Sequence, residues 1–206
     1  MEFHLDLPSQ IIIASRNRHK VIEFSQIFGP EVKLLTARDL DENLTWEETG
    51  DSFEANAKIK VAAVSKALEG KNLQSWILAD DSGLCVDSLG GAPGIFSSRF
   101  GGEEGNDLKN NLRLLNDLQG VSNRSAKFYC WIVLQVTPQI QKTFYGKLEG
   151  HILENPVGQG GFGYDSLFVP KGMTSTLAEL SLEQKSLISH RSLAIEALRV
   201  WLYHNC

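Results

Sequence analysis

Two carboxylates, Asp80 and Asp81, stand side by side after the apolar run Trp76 to Ala79. Neighbouring side chains of an extended segment point to opposite faces, so one can face a ligand while the other supports the chain turning behind it. Their mutual repulsion must be offset by a cation, a hydrogen bond or solvent. The alternative is an Asp-rich turn in which Gly83 supplies a positive φ. A second acidic group, Glu47 and Glu48 followed by Thr49, Gly50 and Asp51, precedes a long helical pattern. Such acids suit a hard metal: magnesium takes one or two carboxylates and fills its other positions with phosphate oxygens and water. They equally suit a helix N-terminus, whose dipole favours negative charge.

Cations and neutral donors gather elsewhere. Ser15, Arg16, Asn17, Arg18, His19 and Lys20 follow the apolar run Ile11 to Ala14 and precede a helical pattern. A strand, a polar loop and a helix in that order aim backbone N–H groups and a positive dipole at one point. With Arg16, Arg18 and Lys20 as cations and Ser15 and Asn17 as donors, the composition suits a triphosphate. It is not a P-loop, because G-x-x-x-x-G-K-[ST] is absent, and a basic solvated loop is the alternative. In Lys185 to Arg191, Ser189 can cap the last helix and put His190 and Arg191 in its first turn. Two such side chains at the positive end of a dipole make sense if an electron-rich group arrives there. Otherwise they are a structural histidine and an exposed arginine.

Gly158, Gly160 and Gly163 formally match G-x-G-x-x-G. The dinucleotide reading fails, because an extended pattern rather than a helix follows at Tyr164 to Phe168. A glycine loop that lets Phe162 stack on a base, with Asp165 at its edge, is the better use of these residues; a turn with core aromatics is the alternative. H-E-x-x-H, G-x-S-x-G and a Cys–His pair are all absent.

Elements must position these groups. Val21, Phe24, Ile27 and Phe28 predict a helix stopped by Gly29-Pro30. Asp51 to Glu54 reads as a capping box opening a helix that runs to about Leu68. Trp76 to Ala79 reads as a short buried strand that runs straight into Asp80 to Gly83, followed by Leu84 to Val86. Gly90 to Gly94 is turn-rich. Leu108, Leu112, Leu115 and Leu118 mark another helix. Ala126 to Val136 and Gln139 to Gly150 predict two antiparallel strands around Thr137-Pro138. Leu167 to Val169 is a strand tip. Leu193, Ala197, Leu198, Trp201 and Leu202 give a C-terminal amphipathic helix. Helices alternating with strands around a central hairpin predict an α/β fold with a mixed sheet and helices packed around it.

The chain has 206 residues, enough for one domain or one domain with two lobes. Its net charge of −5 argues against a broad nucleic-acid surface. A small anionic ligand is still allowed, because a few cations act locally within a Debye length of roughly 8 Å. Three widely spaced cysteines, Cys85, Cys130 and Cys206, suggest neither a zinc site nor a disulfide framework. The first ten residues lack a basic n-region and a long apolar run, so no signal peptide is expected. No apolar stretch approaches the ~18 residues of a membrane span. The expected compartment is the cytoplasm.

Taken in order, these segments resemble the inosine triphosphate pyrophosphatase family. The resemblance runs from Ile11 to about Leu202. It is carried by Ala14 to Lys20, by Glu47 to Gly50 with Phe53 and Asn56, and by Ala79 to Leu84. Further on it is carried by Leu89 to Gly94, Gly161 to Asp165, Ala178 to Leu180, Lys185 and Ser189 to Arg191. It implies an elongated mixed sheet with two lobes and a central active-site cleft, in a homodimer. It implies hydrolysis of purine nucleoside triphosphates with a deaminated base to monophosphate and pyrophosphate, with Mg2+ as cofactor. Ser15, Asn17, Lys20 and Lys60 match phosphate contacts, Ser82 a further substrate contact, and Asp81 the proton acceptor. Glu47, or Glu48 as the alternative, joins Asp81 at the metal. Phe162, Gly163, Tyr164, Asp165, Lys185, His190 and Arg191 match the base-recognition side. The chain departs from the family at Arg16, where glycine is usual, at His19, where a small residue or lysine is usual, and at Ala55, where glutamate is common.

Overall fold

A computed structural model of the chain describes residues 6–15, 24, 28, 31–71 and 75–206. The predicted helix Val21 to Phe28 and the polar residues Arg16, Asn17, Arg18, His19 and Lys20 lie outside the described residues, apart from Phe24 and Phe28, which are buried.

Among the described residues six strands form one sheet: β1 (Gln10–Ile13), β2 (Lys33–Thr36), β3 (Trp76–Val86), β4 (Ser125–Thr137), β5 (Ile140–Ile152) and β6 (Phe168–Pro170). The spatial order is β2-β1-β3-β4-β5-β6. β1 runs parallel to both β2 and β3, whereas β5 and β6 are antiparallel. The two-residue link between β4 and β5 makes them a hairpin. The sheet is therefore mixed, as the hydrophobic patterning predicts.

Among the described residues the helices are α1 (Ala37–Leu40), α2 (Phe53–Ala67), α3 (Asp107–Asp117), α4 (Leu182–Ile188) and α5 (His190–Asn205). Their starts are set by side-chain caps that satisfy otherwise orphaned N–H groups. Thr36 with Asp39 and Ser181 with Gln184 form reciprocal boxes, and Asn106 caps α3. The box expected at Asp51 to Glu54 is not formed. Ser52, one residue later, is the cap of α2, and its hydroxyl accepts the Ala55 N–H at 3.2 Å.

Contacts divide the chain into two compact units, one of residues 1–81, 131–145 and 194–206, the other of residues 82–130 and 146–193. In the first, Ile12, Ala57, Val61, Val64, Ile77 and Ala79 build the core where α2 covers the parallel strands. In the second, Leu84, Phe100, Leu114, Leu118, Phe128, Leu167 and Phe168 form another core.

Three expectations are corrected, one about a strand and two about helix faces. β3 does not break at the acidic pair: Asp80, Asp81, Ser82 and Gly83 all lie within the strand, and Gly83 has no positive φ. This removes the turn alternative. In α3, Leu108 and Leu112 are exposed, and the buried stripe is Asn110, Leu114 and Leu118. In α5 the buried stripe is Arg191, Ala194, Leu198 and Leu202, so Leu193 and Ala197 face outward. Each helix buries a polar residue, Asn110 in one and Arg191 in the other, in line with its buried apolar ones, and this rotates the apparent apolar face.

Candidate active site

One face of α2 organises the acidic residues of the first unit. Asn56 and Lys60 are four residues apart, so they stack on the same side of the helix. The Lys60 ammonium donates to Asp81 Oδ1 at 2.8 Å and to the Asp80 carbonyl at 3.0 Å. It also lies 2.9 Å from Glu48 Oε1. The Asn56 side chain donates to Asp81 Oδ2 at 3.3 Å and accepts the Gly50 N–H at 2.9 Å. Both Asn56 and Lys60 are buried. Burial alone would lower the lysine pKa, but the charges of Asp81, Glu48 and Asp80 outweigh it and the value is raised. Lys60 is therefore a firmly charged cation, which meets the need for an offset to the adjacent carboxylates.

Glu48 and Glu47 part company in this arrangement. Glu48 shares Lys60 with Asp81, whereas Glu47 is exposed. Ser15 is buried at the end of β1, its N–H bonded to the Ile13 carbonyl at 2.8 Å.

In the second unit the loop Gly158 to Asp165 carries the aromatic candidate. Phe162 is 57% exposed, large for an apolar ring. The Lys185 ammonium lies 4.7 Å from its ring centroid and bonds the Asp165 carboxylate. Asp165 Oδ2 also accepts the Phe162 N–H at 2.9 Å, which closes the loop on itself. Gly161 has φ +73°, and a Cβ there would meet Asp165 Oδ2 at 2.1 Å, so only glycine fits. Asp107 and Asn111, one turn apart on α3, grip the next residue: Asp107 accepts the Gly163 N–H at 2.6 Å, and Asn111 donates to the Gly163 carbonyl at 3.0 Å. Buried Tyr164 donates its hydroxyl to the Ser97 carbonyl at 2.8 Å, and burial, with the Asp107 charge, pushes its pKa well above the ordinary phenol value.

Ser189 ends α4 and opens α5. Its N–H bonds the Lys185 carbonyl at 2.9 Å, and its hydroxyl accepts the Ser192 N–H at 3.1 Å. That cap places His190 and Arg191 in the first turn of α5. His190 stacks on Phe128 with centroids 4.8 Å apart, and Arg191 donates to the Ser82 hydroxyl at 3.3 Å. The arginine is buried, not exposed as a merely solvated side chain would be.

The structure thus gathers Lys60, Glu48, Asp80 and Asp81 in one cluster, and Phe162, Gly163, Asp165 and Lys185 in another, with Ser82, His190 and Arg191 around the start of α5. Asn56, Asp107 and Asn111 were missed as site residues. Asn56 stood among the residues shared with the family, so a signal existed; nothing marks Asp107 and Asn111, because their partner is backbone.

By fold, the chain is an α/β protein similar to several solved structures. One is the Ham1 protein of Staphylococcus aureus, 40% identical, with TM-score 0.87 over 94% of this chain and 98% of that one. Another is a protein described as nucleoside-triphosphatase / dITP/XTP pyrophosphatase of Mycobacterium abscessus, 39% identical, with TM-score 0.77 over 92% and 98%. A curated relative from Bacillus licheniformis, named dITP/XTP pyrophosphatase, is 45% identical over 94% of this chain and 97% of its own length. One of the same name from Bacillus subtilis is 41% identical over 92% and 94%. The Ham1 family model matches residues 11–201. The chain belongs to the Ham1 family. Among the described residues, no helix is long and apolar enough to cross a membrane.

Proposed function

We propose that this chain is a nucleoside triphosphate pyrophosphatase acting on purine nucleotides with a deaminated base, such as ITP, dITP and XTP. The observation that carries the reading is the Lys60 cluster, in which one buried ammonium holds Asp81 and Glu48 together within a Ham1-family chain.

The reaction is attack of water on the α-phosphorus. A new P–O bond forms to the water oxygen, the bond from the α-phosphorus to its bridging oxygen breaks, and the electron pair leaves with pyrophosphate. Asp81 takes the proton from water. Lys60 and, from the loop outside the described residues, Lys20 stabilise the charge on the leaving group. Ser15, Arg16, Asn17, Arg18 and His19 serve the triphosphate with them.

Glu48 and Asp81 are two hard oxygen donors already gathered round one cation, so they fit a divalent metal ion. Among the described residues there is no cluster of three metal-ligating side chains. A pair of carboxylates such as Glu48 and Asp81 suits Mg2+, which keeps water and takes substrate phosphates. When bound, the ion neutralises negative charge developing on the phosphates. Burial and the shared lysine favour Glu48 over Glu47 as the second carboxylate.

Phe162 stacks on the base, and the loop through Gly163, Tyr164 and Asp165, with Lys185, presents its edge. A donor from His190, Arg191 or backbone N–H reads the 6-keto oxygen, which adenine replaces with an amino group. A buried donor left unpaired by the wrong base supports discrimination of about 10⁴. Ser82, bonded to Arg191, adds a further substrate contact. The enzyme works in the cytoplasm on free nucleotides and as a homodimer.

The test is one panel: purified protein with Mg2+ and ITP, XTP, dITP, GTP, ATP or dTTP, with the products identified. Pyrophosphate and monophosphate from the first three are expected. Orthophosphate would indicate a phosphatase instead, and tight ITP binding without turnover at any Mg2+ concentration would indicate a nucleotide-binding regulator.

A further inference from the structure

The Asn56 side chain makes two bonds that no other residue type makes equally well. Its Oδ1 accepts the Gly50 N–H at 2.9 Å, and its Nδ2 donates to Asp81 Oδ2 at 3.3 Å. The two partners fix the amide's orientation, because the backbone N–H demands an oxygen and the carboxylate demands an NH2. Asn56 is fully buried, so neither bond exchanges freely with water. Gly50 is close-packed on it: a Cβ there would meet Asn56 Oδ1 at 2.7 Å.

Lys60 links the same two regions one helical turn further along, from Glu48 to Asp81. The two links differ in kind. The ammonium is a charge, and in the function proposed above it also serves the departing pyrophosphate. The amide is neutral, so it is not itself drawn to or repelled by the net charges that arrive with substrate or leave with product, as the ammonium is.

We propose that Asn56 is a positioning residue that locks Asp81 and the Glu47–Gly50 segment into one frame, so that both carboxylates keep their relative placement through turnover. This rests on the assignment of Asp81 and the acidic segment made above. Outer groups that orient metal-ligating carboxylates typically carry 10- to 100-fold in affinity or activity.

The experiment compares wild type with Asn56→Asp, Asn56→Leu and Gly50→Ala. Asn56→Asp keeps the acceptor for Gly50 and loses the donor to Asp81. Asn56→Leu loses both, and Gly50→Ala presses on the amide without removing it. Expected for Asn56→Asp is a kcat on ITP lowered about 10- to 100-fold with KM changed less than about threefold. Direct titration with Mn2+ in the absence of nucleotide, by calorimetry, should show about tenfold weaker binding. Gly50→Ala should move both readings the same way by less, and it keeps the test open if a substitution at Asn56 prevents folding. Folded Asn56→Asp or Gly50→Ala protein with wild-type kcat and Mn2+ affinity overturns the proposal, as does a rise in KM alone. If wild type itself releases no pyrophosphate from ITP, the proposed function fails, while the Mn2+ titration still decides the role of Asn56.

Discussion

Asp81 and Phe162 stand at opposite extremes of burial. Asp81 is 8% exposed in the middle of the longest parallel-side strand, paired with a buried lysine and a buried amide from one helix. Phe162 is 57% exposed on a glycine loop held by side chains that reach its backbone. In the first case regular elements hold charged side chains, and in the function proposed above those side chains do the chemistry. In the second, charged side chains hold a backbone, and the backbone presents an aromatic face. In the proposed function the contrast suits a polyanionic tail, which needs fixed charges in low dielectric, and a planar base, which needs a shaped surface and a few edge contacts.

Asp81→Asn tests the first region and should have the largest effect. The amide keeps the size of the side chain, but it cannot take a proton from water. Turnover of ITP should fall about 10²-fold or more while nucleotide binding is largely kept. Steady-state kinetics beside a binding titration separates the two quantities. Near-normal turnover would remove Asp81 from the base role and leave its partnership with Lys60 purely structural.

Gly161→Ala tests the second region. The residue has φ +73°, and the new methyl would sit 2.1 Å from Asp165 Oδ2. Left-handed backbone at a residue with a Cβ costs about 1–2 kcal/mol, and Asp165 must also move off the Phe162 N–H and Lys185. KM for ITP should rise by about tenfold, the equivalent of 1.4 kcal/mol, with kcat falling less. A variant that instead lost kcat at unchanged KM would mean that the loop serves the chemistry and not the base.

The two regions also differ in how much of them the sequence discloses. The Lys60 cluster is legible in part, because adjacent carboxylates after an apolar run are chemically conspicuous and must find a counter-charge. Only the resemblance to a family, however, pointed to Lys60 as a site residue. The difference in exposure between Glu47 and Glu48 was not legible: both precede the same helix, and the difference arises from tertiary packing. The mixed sheet was legible because apolar runs and the Thr137-Pro138 turn signal it locally. The apolar faces of α3 and α5 were misread because Asn110 and Arg191 occupy buried positions. A binary pattern treats such residues as exposed, although one bonds backbone and the other bonds Ser82. The grip of Asp107 and Asn111 on Gly163 leaves no local trace, since its two sides are 56 and 52 residues apart.

That grip gives a smaller prediction. Asp107→Ala removes the acceptor of the Gly163 N–H, made at 2.6 Å by an exposed side chain. Water can replace an exposed partner, so the net loss belongs at the low end of a hydrogen bond's worth, about 0.5–1 kcal/mol. KM for ITP should rise two- to fivefold, and the Asn111 bond should keep the loop near its place. Adding Asn111→Leu should then cost more than the two changes measured singly, because each residue supports the same peptide. Strict additivity would show that Gly163 is held by its neighbours Asp165 and Tyr164, and that the α3 contacts are incidental.

The smallest effect should come from the helix that carries Asn56 and Lys60. Thr36 with Asp39 and Ser181 with Gln184 both close reciprocal caps, and in each the third helical residue reaches back to the cap N–H. Ser52 closes only half of one, because that position of α2 is Ala55. Ala55→Glu supplies the missing acceptor and adds negative charge at a positive helix end, each worth a few tenths to about 1 kcal/mol. Working against it is the acidic charge already gathered beside α2, where Glu48, Asp80 and Asp81 share Lys60 near the middle of the helix. If capping prevails, thermal unfolding shifts upward by about 2–4 °C with ITP turnover within twofold of wild type. A downward shift would show that the acidic cluster governs the stability of α2 more strongly than its first turn does, and that the alanine relieves a charge excess that the rest of the site requires.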